Sequence, residues 1–318
     1  MTYTYEVIIN TPPKDVEEFK YSYARTEKIA IVIKKAGARI TANMGKDYRD
    51  DWEGSYAQKL IQDAVRRCAL IYLIRYSMPM PIKTIKVLIS TKGVQIISFD
   101  ITEKTKAYYL IEGRLQRKVS TNLLSKQVLE EVVREMKSDY GKRTAALYAY
   151  LLSKSKVYEA ERFVYLWMAF NGVYSYWGQK AGIWKDTKQI VHLLNKYKWG
   201  SSITPDKNVR TKMGERTSLA LNGYNHVITS SDIKSREVAS LEQKIFEYPE
   251  MNNVDITFYG YLLCDYSYYL RCTMIHASKP IPLISFENEM DIKVLRTANS
   301  LLEGFLDNHL YECFEERN

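Results

Sequence analysis

Two side chains that together could cleave RNA without a metal ion stand near the C-terminal end of the chain. Arg271 lies five residues before His276 in an aromatic-rich run, YYLRCTMIHAS. An imidazole can take the proton of a 2′-hydroxyl or supply one to the leaving oxygen, which accelerates such reactions by about 10²–10⁴. A guanidinium can bind the scissile phosphate and offset the charge that develops in the transition state. The pair therefore predicts a ribonuclease-type site.

The helix that carries this pair limits how the two side chains can meet. Five residues along an α-helix correspond to about 140° of rotation and about 7.5 Å of rise, so Arg271 and His276 do not share a face. Pro280 ends the helix soon after His276, because proline lacks a backbone N–H and disfavours helix in the preceding residue. His276 then lies in the last turn, where the helix dipole favours a protonated imidazole. The alternative is an arginine on the solvent face and a histidine that only caps the helix.

No other group of residues in the sequence predicts a cofactor or a metal ion. The run GARITANMGK at 37–46 lacks the glycine spacing and the Ser or Thr of a phosphate loop. The acidic run KDYRDDWE at 46–53 could bind a divalent cation through its oxygens. It also fits a loop before a helix N-terminus, where the dipole favours acids. The histidines and cysteines lack the spacing of a zinc site, so we expect no cofactor and no metal.

The first 120 residues are predicted to form a basic α+β domain with one main helix. That helix spans 55–76, where apolar residues recur every three or four positions, and the prolines at 79 and 81 stop it. A short helix is expected from Asp15 to Lys20. β-branched and aromatic runs predict strands at 3–9, 29–33, 39–41, 85–89, 95–99 and 108–111.

From residue 121 the periodicity becomes helical, which predicts an all-α domain over 121–318. The segment 157–177 is dense in aromatic residues three or four positions apart, and 201–225 is expected to be a polar loop. The fold class predicted for the whole chain is an α+β N-terminal domain followed by an all-α helical bundle. Helices are expected at 125–136, 143–152, 157–177, 188–197, 237–246, 253–277 and 288–315.

The net charge of +9 is concentrated in the first half of the chain. Residues 1–140 hold 24 Lys and Arg against 17 Asp and Glu, which favours a polyanionic partner there, with a solvated basic surface as the alternative. No run is long and apolar enough to cross a bilayer, and the first residues do not have the pattern of a signal peptide. We therefore expect a cytoplasmic protein with reduced thiols and no membrane contact.

Two stretches resemble the HEPN superfamily (higher eukaryotes and prokaryotes nucleotide-binding). The first is Arg271 to His276, which resembles the R-x4-6-H motif of that family and lies late in the helical region, before a final helix. The second is ERFVYLWMAFN at 161–171, which is similar to the R-F-x-x-L-W-x-A-F-[EN] helix of Apea-like HEPN proteins. The resemblance covers about residues 125–318 and extends the fold expectation to a HEPN-like bundle.

The resemblance implies a metal-independent endoribonuclease that leaves 2′,3′-cyclic phosphate and 5′-hydroxyl ends. It implies a homodimer with a composite site, RNA as substrate, and a role as a defence or toxin effector whose N-terminal domain meets a regulatory partner or trigger. Arg271 and His276 correspond to the catalytic pair, and Asn171 to a polar position that supports the arginine. Glu161 is a further supporting residue, and Cys272 stands where the family often has a polar residue after the arginine. The competing hypothesis is a non-catalytic HEPN module that binds a nucleotide or a partner.

Overall fold

The protein is described by a computed structural model in which the chain divides into two compact units. The first comprises Met1–Tyr140 with Phe314–Asn318, and the second Gly141–Cys313. The residues that the structure describes are 2–10, 19–25, 27–34, 37–48, 50–103, 115–134, 142–197, 267, 271 and 289–315.

An antiparallel sheet forms the centre of the first unit. Its strands follow the spatial order β2-β3-β4-β1-β5-β6, so β1 pairs with β4 on one side and with β5 on the other. Apolar side chains at alternate positions of the central strands are buried on one face of the sheet. The strands are β1 (Tyr3–Asn10), β2 (Phe19–Arg25), β3 (Glu27–Lys34), β4 (Gly37–Met44), β5 (Thr84–Thr91) and β6 (Val94–Asp100).

One long helix, α1 (Tyr56–Tyr76), packs against β3 and β4. It begins where Ser55 Oγ accepts a hydrogen bond from the backbone N–H of the third following residue, at 3.0 Å. It ends at Ser77, which adopts a left-handed conformation and donates its N–H to the carbonyl of Leu73 at 2.8 Å. Complete burial raises the pKa of the Cys68 thiol in this helix to about 12, so this thiol stays protonated and unreactive in the folded protein.

A second helix of the first unit, α2 (Lys126–Arg134), packs against α1 and β2. It follows a 3₁₀ turn (Thr121–Leu124) and is capped by the Ser125 side chain. The buried Arg67 of α1 donates a hydrogen bond to the carbonyl of Val132 in α2. With this packing, α2 belongs to the first compact unit, which extends to Tyr140; the sequence predicted a domain boundary after residue 120.

The second unit is built around α4 (Glu159–Lys180), which contacts α3 (Lys142–Ser155), α5 (Asp186–Tyr197) and α6 (Glu289–His309). Phe170 of α4 meets Phe305 of α6 edge to face, with ring centroids 5.4 Å apart, a geometry that stabilises aromatic pairs beyond the area they bury. Five aromatic side chains of α4 are buried, and the first four contact one another in succession: Phe163, Trp167, Phe170, Tyr174 and Trp177.

The α+β arrangement is confirmed, and two predicted elements need correction. The helix expected from Asp15 to Lys20 is wrong at its end, because Phe19 and Lys20 begin β2 and pair with β3. Aromatic residues recur there at every second position, which is a strand period. The terminal helix is interrupted: α6 ends at His309, and α7 spans Glu312–Glu315. Between them is a turn in which the N–H of Cys313 donates to the carbonyl of Leu310 at 3.3 Å.

Several predicted elements lie outside the described residues. They are the strand at 108–111, the loop at 201–225, the helix at 237–246 and most of the helix at 253–277. Within that last segment the structure describes Ser267 and Arg271, and both are helical.

Candidate active site

Arg271, the predicted phosphate-binding cation, lies in a helix of the second unit and is half-buried. Ser267, four residues earlier, is also helical and fully buried. Residues four apart in one helix share a face, so in the helix predicted over 253–277 Arg271 is on the same face as the buried Ser267. The arginine is therefore at the edge of a packed surface rather than fully on the solvent side. Its predicted partner His276 and the neighbouring Cys272 lie outside the described residues.

The two supporting residues, both on α4, are not brought together. Asn171 is half-buried, and its side-chain oxygen accepts a hydrogen bond from Ser175 Oγ at 3.0 Å. Glu161 is 54% exposed in its side chain and lies 3.7 Å from Lys156 Nζ. Ten helical residues separate Glu161 from Asn171, or about 15 Å along the axis. Glu161 lies in the first turn of α4, where the helix dipole favours an acidic residue independently of any role in catalysis.

Sequence reasoning missed a buried cluster of charged side chains that joins α4 to α6. At its centre is Arg162, only 4% exposed. One terminal nitrogen of Arg162 lies 3.1 Å from Glu159 Oε2, and the other binds Glu303 Oε2 of α6. The guanidinium therefore holds carboxylates from two helices at once, as its forked geometry allows.

A second buried cation, Lys154 of α3, completes this cluster. Its Nζ lies 2.6 Å from Glu303 Oε1 and 3.1 Å from Asp307 Oδ1. The side chain of Lys154 is 3% exposed, and the hydroxyl of Tyr150 donates to the same Asp307 oxygen. Glu303 is thus shared between Lys154 and Arg162, so α3, α4 and α6 meet at one carboxylate.

A buried amide extends the cluster towards the start of α4. Asn299 Nδ2 donates to the carbonyl oxygen of Glu159 at 2.9 Å and to its carboxylate at 2.7 Å. Arg296, which is 63% exposed, approaches the other Glu159 oxygen at 3.8 Å. The amide of Asn299 therefore binds both the backbone and the side chain of Glu159, the first residue of α4.

This charged cluster (Lys154, Glu159, Arg162, Asn299, Glu303 and Asp307) is suited to positioning helices rather than to chemistry. Each carboxylate already accepts from a cation or an amide, which leaves little room for a substrate. Buried ion pairs contribute little net stability when complete, but breaking one leaves an uncompensated buried charge. The cluster therefore fixes how α6 lies against α4.

No sequence motif could have revealed the cluster, because its members come from three helices and stand up to 153 positions apart. The available signal is the i, i+4 pair of acids on α6, Glu303 and Asp307, next to an apolar stripe. Among the residues that the structure describes, no three His, Cys, Asp or Glu side chains are arranged to hold a metal ion.

Comparison with known proteins identifies no relative of this chain. None of the family models, curated proteins or solved structures that were compared with it matches significantly. Within the described ranges, no helix is both long enough and apolar enough to cross a bilayer.

Proposed function

We propose that the protein is a metal-independent endoribonuclease of the R-x4-6-H type, built on a HEPN-like helical unit and acting in the cytoplasm. The observation that carries the proposal is the position of Arg271. It is helical and half-buried, one turn after the buried Ser267. A long cation held at the edge of a packed surface can reach a bound phosphate while its stem remains in contact with the protein.

The structure of α4 supports the HEPN-like resemblance at the level of packing. In the stretch ERFVYLWMAFN, Phe163, Trp167 and Phe170 are fully buried and contact one another in succession. Arg162, the arginine of that stretch, is buried in the charged cluster. The positions that carry the resemblance therefore lie in the core of the second unit, and one of them, Arg162, joins α4 to α6.

The proposed reaction is an internal transesterification. The 2′-oxygen of a ribose forms a bond to the adjacent phosphorus while the bond from phosphorus to the 5′-oxygen of the next nucleotide breaks. His276 accepts the 2′-hydroxyl proton or donates a proton to the leaving 5′-oxygen. Arg271 binds the non-bridging phosphate oxygens as negative charge accumulates on them. The products are a 2′,3′-cyclic phosphate and a 5′-hydroxyl.

Two copies of the chain would supply the complete site. Five residues along an α-helix correspond to about 140° of rotation, so a composite site at a dimer axis would let an arginine from one protomer act beside a histidine from its partner. A regulatory partner or trigger would act through the basic first unit, and the protein would serve as a defence or toxin effector.

The proposal is tested by incubating the purified protein with total RNA in the presence of EDTA. We expect cleavage, because neither an imidazole nor a guanidinium needs a metal ion. RNA that remains intact with the wild-type protein would favour the competing function, a non-catalytic HEPN module. In that case nucleotide or partner binding would depend on Arg271 and be indifferent to His276.

A further inference from the structure

The turn between α4 and α5 holds a tryptophan out in solvent. Trp184 is 77% exposed, the largest value among the exposed large apolar side chains of the described residues. The two tryptophans of α4, Trp167 and Trp177, are buried. Leaving an indole in water forgoes the favourable free energy of burying its apolar surface, so the exposure of Trp184 calls for an explanation.

The backbone beneath Trp184 is fixed by hydrogen bonds. The N–H of Ile183 donates to the carbonyl of Gly178 at 2.8 Å, and Gly182 takes the left-handed conformation (φ 72°) that the turn requires. From α5, the buried side-chain amide of Gln189 donates to the Ile183 carbonyl at 2.6 Å. Both backbone polar groups of Ile183, its N–H and its carbonyl, are therefore hydrogen-bonded. These bonds fix the backbone directly before Trp184.

Lysines flank Trp184 along the chain. Lys180 is the last residue of α4, Lys185 follows Trp184 directly, and Lys188 lies in the first turn of α5. All three are exposed. Over residues 178–197 the chain has four lysines and one acid, Asp186. The turn is thus a locally basic surface with a single aromatic face at its centre.

We propose that this α4–α5 turn surface (Lys180, Trp184, Lys185 and Lys188) binds single-stranded RNA, with one unpaired base stacked on the Trp184 indole and the lysines contacting the flanking phosphates. The identity of the polymer as RNA rests on the proposed nuclease function. Stacking accepts any base, and lysine contacts to phosphate do not depend on sequence. The surface therefore captures the substrate strand without selecting where it is cut.

The charge pattern favours a nucleic acid over a lipid surface. A helix or turn that enters a membrane interface presents several apolar side chains together. Here the residues beside Trp184 in the turn are Gly182, the half-buried Ile183 and Lys185. One flat aromatic face between cations fits a base between phosphates.

The test measures the affinity of the full-length protein for a fluorescein-labelled 12-nucleotide oligouridine by anisotropy. All variants carry His276→Ala, so that the RNA stays intact. Relative to this parent, Trp184→Ala is expected to raise the Kd about tenfold, because stacking of one base is lost. Trp184→Phe should retain most of the affinity, and Lys188→Gln should reduce the slope of log K against log salt concentration by about 0.7. Met168→Ala is the matched control, since Met168 is an exposed apolar residue of α4, outside the turn that carries Trp184.

The outcomes separate this surface from the nuclease. Three results would contradict RNA binding by the α4–α5 turn surface: an unchanged Kd for Trp184→Ala, an equal loss of affinity for Met168→Ala, or binding to phosphatidylserine vesicles instead of RNA. If wild type cuts RNA but Trp184→Ala binds like its parent, the surface fails and the nuclease stands. If the oligonucleotide binds through Trp184 and wild type never cuts RNA, the nuclease fails and the surface stands.

Discussion

Replacing His276 with alanine is expected to lower the rate of RNA cleavage by about 10²–10⁴, the usual contribution of a positioned acid–base group. The rate is measured in EDTA with a fluorescent single-stranded RNA under single-turnover conditions, so that product release does not mask the chemical step. RNA binding should change little, because the imidazole acts on protons in the transition state rather than on the ground-state complex.

The control for this loss is a second histidine of the helical unit. His192 lies half-buried in α5, and His192→Ala should cleave at the wild-type rate. Equal rates for wild type and His276→Ala would remove the histidine from the mechanism. Thermal unfolding of each variant shows whether a lower rate comes from lost chemistry or from a lost fold.

The second large effect concerns stability. Glu303→Ala is expected to lower the free energy of unfolding by about 3–5 kcal/mol, because it leaves Lys154 and Arg162 buried with fewer carboxylates. Both cations are at most 5% exposed in their side chains. For a unit of this size the loss corresponds to a fall of about 10 °C in the unfolding midpoint, which calorimetry measures.

A matched pair elsewhere distinguishes a buried network from ordinary surface charge. Glu161 forms a longer ion pair with Lys156, and both side chains have access to solvent. Glu161→Ala should cost under about 1 kcal/mol. A double variant, Glu303→Ala with Lys154→Met, should lose less than the sum of the two single losses, since it removes a cation together with its carboxylate. Similar losses for Glu303→Ala and Glu161→Ala would show that the charged cluster does not hold the helices together.

The elements of the chain were predictable where a local period determines them. The aromatic spacing of α4 predicted its helix, and the helices predicted from 55 and from 125 do begin at serines, whose side-chain oxygens cap them. Phe19 and Lys20, the first residues of β2, were wrongly predicted as helical. The alternating aromatic pattern that indicates a strand there covers only Phe19, Tyr21 and Tyr23, which is too short to be decisive.

The charged cluster and the exposed tryptophan could not be predicted, because each depends on tertiary packing. Lys154 and Arg162 have the sequence signature of ordinary helix-surface charges, and only the packing of α6 against α3 and α4 buries them beside Glu303. In the same way, Trp184 looks like a core residue in the sequence. Its exposure follows from the tight turn that Gly182 and Gln189 fix.

Analysis of the product ends tests the central claim most directly. RNA cut by the wild-type protein in EDTA should carry a 5′-hydroxyl, which polynucleotide kinase can label without prior phosphatase treatment, and a 2′,3′-cyclic phosphate that blocks ligation at the 3′ side until it is removed. These ends follow from attack by the neighbouring 2′-oxygen, with His276 moving the proton and Arg271 holding the phosphate. Products with 3′-hydroxyl and 5′-phosphate ends, or cleavage that EDTA abolishes, would contradict the account.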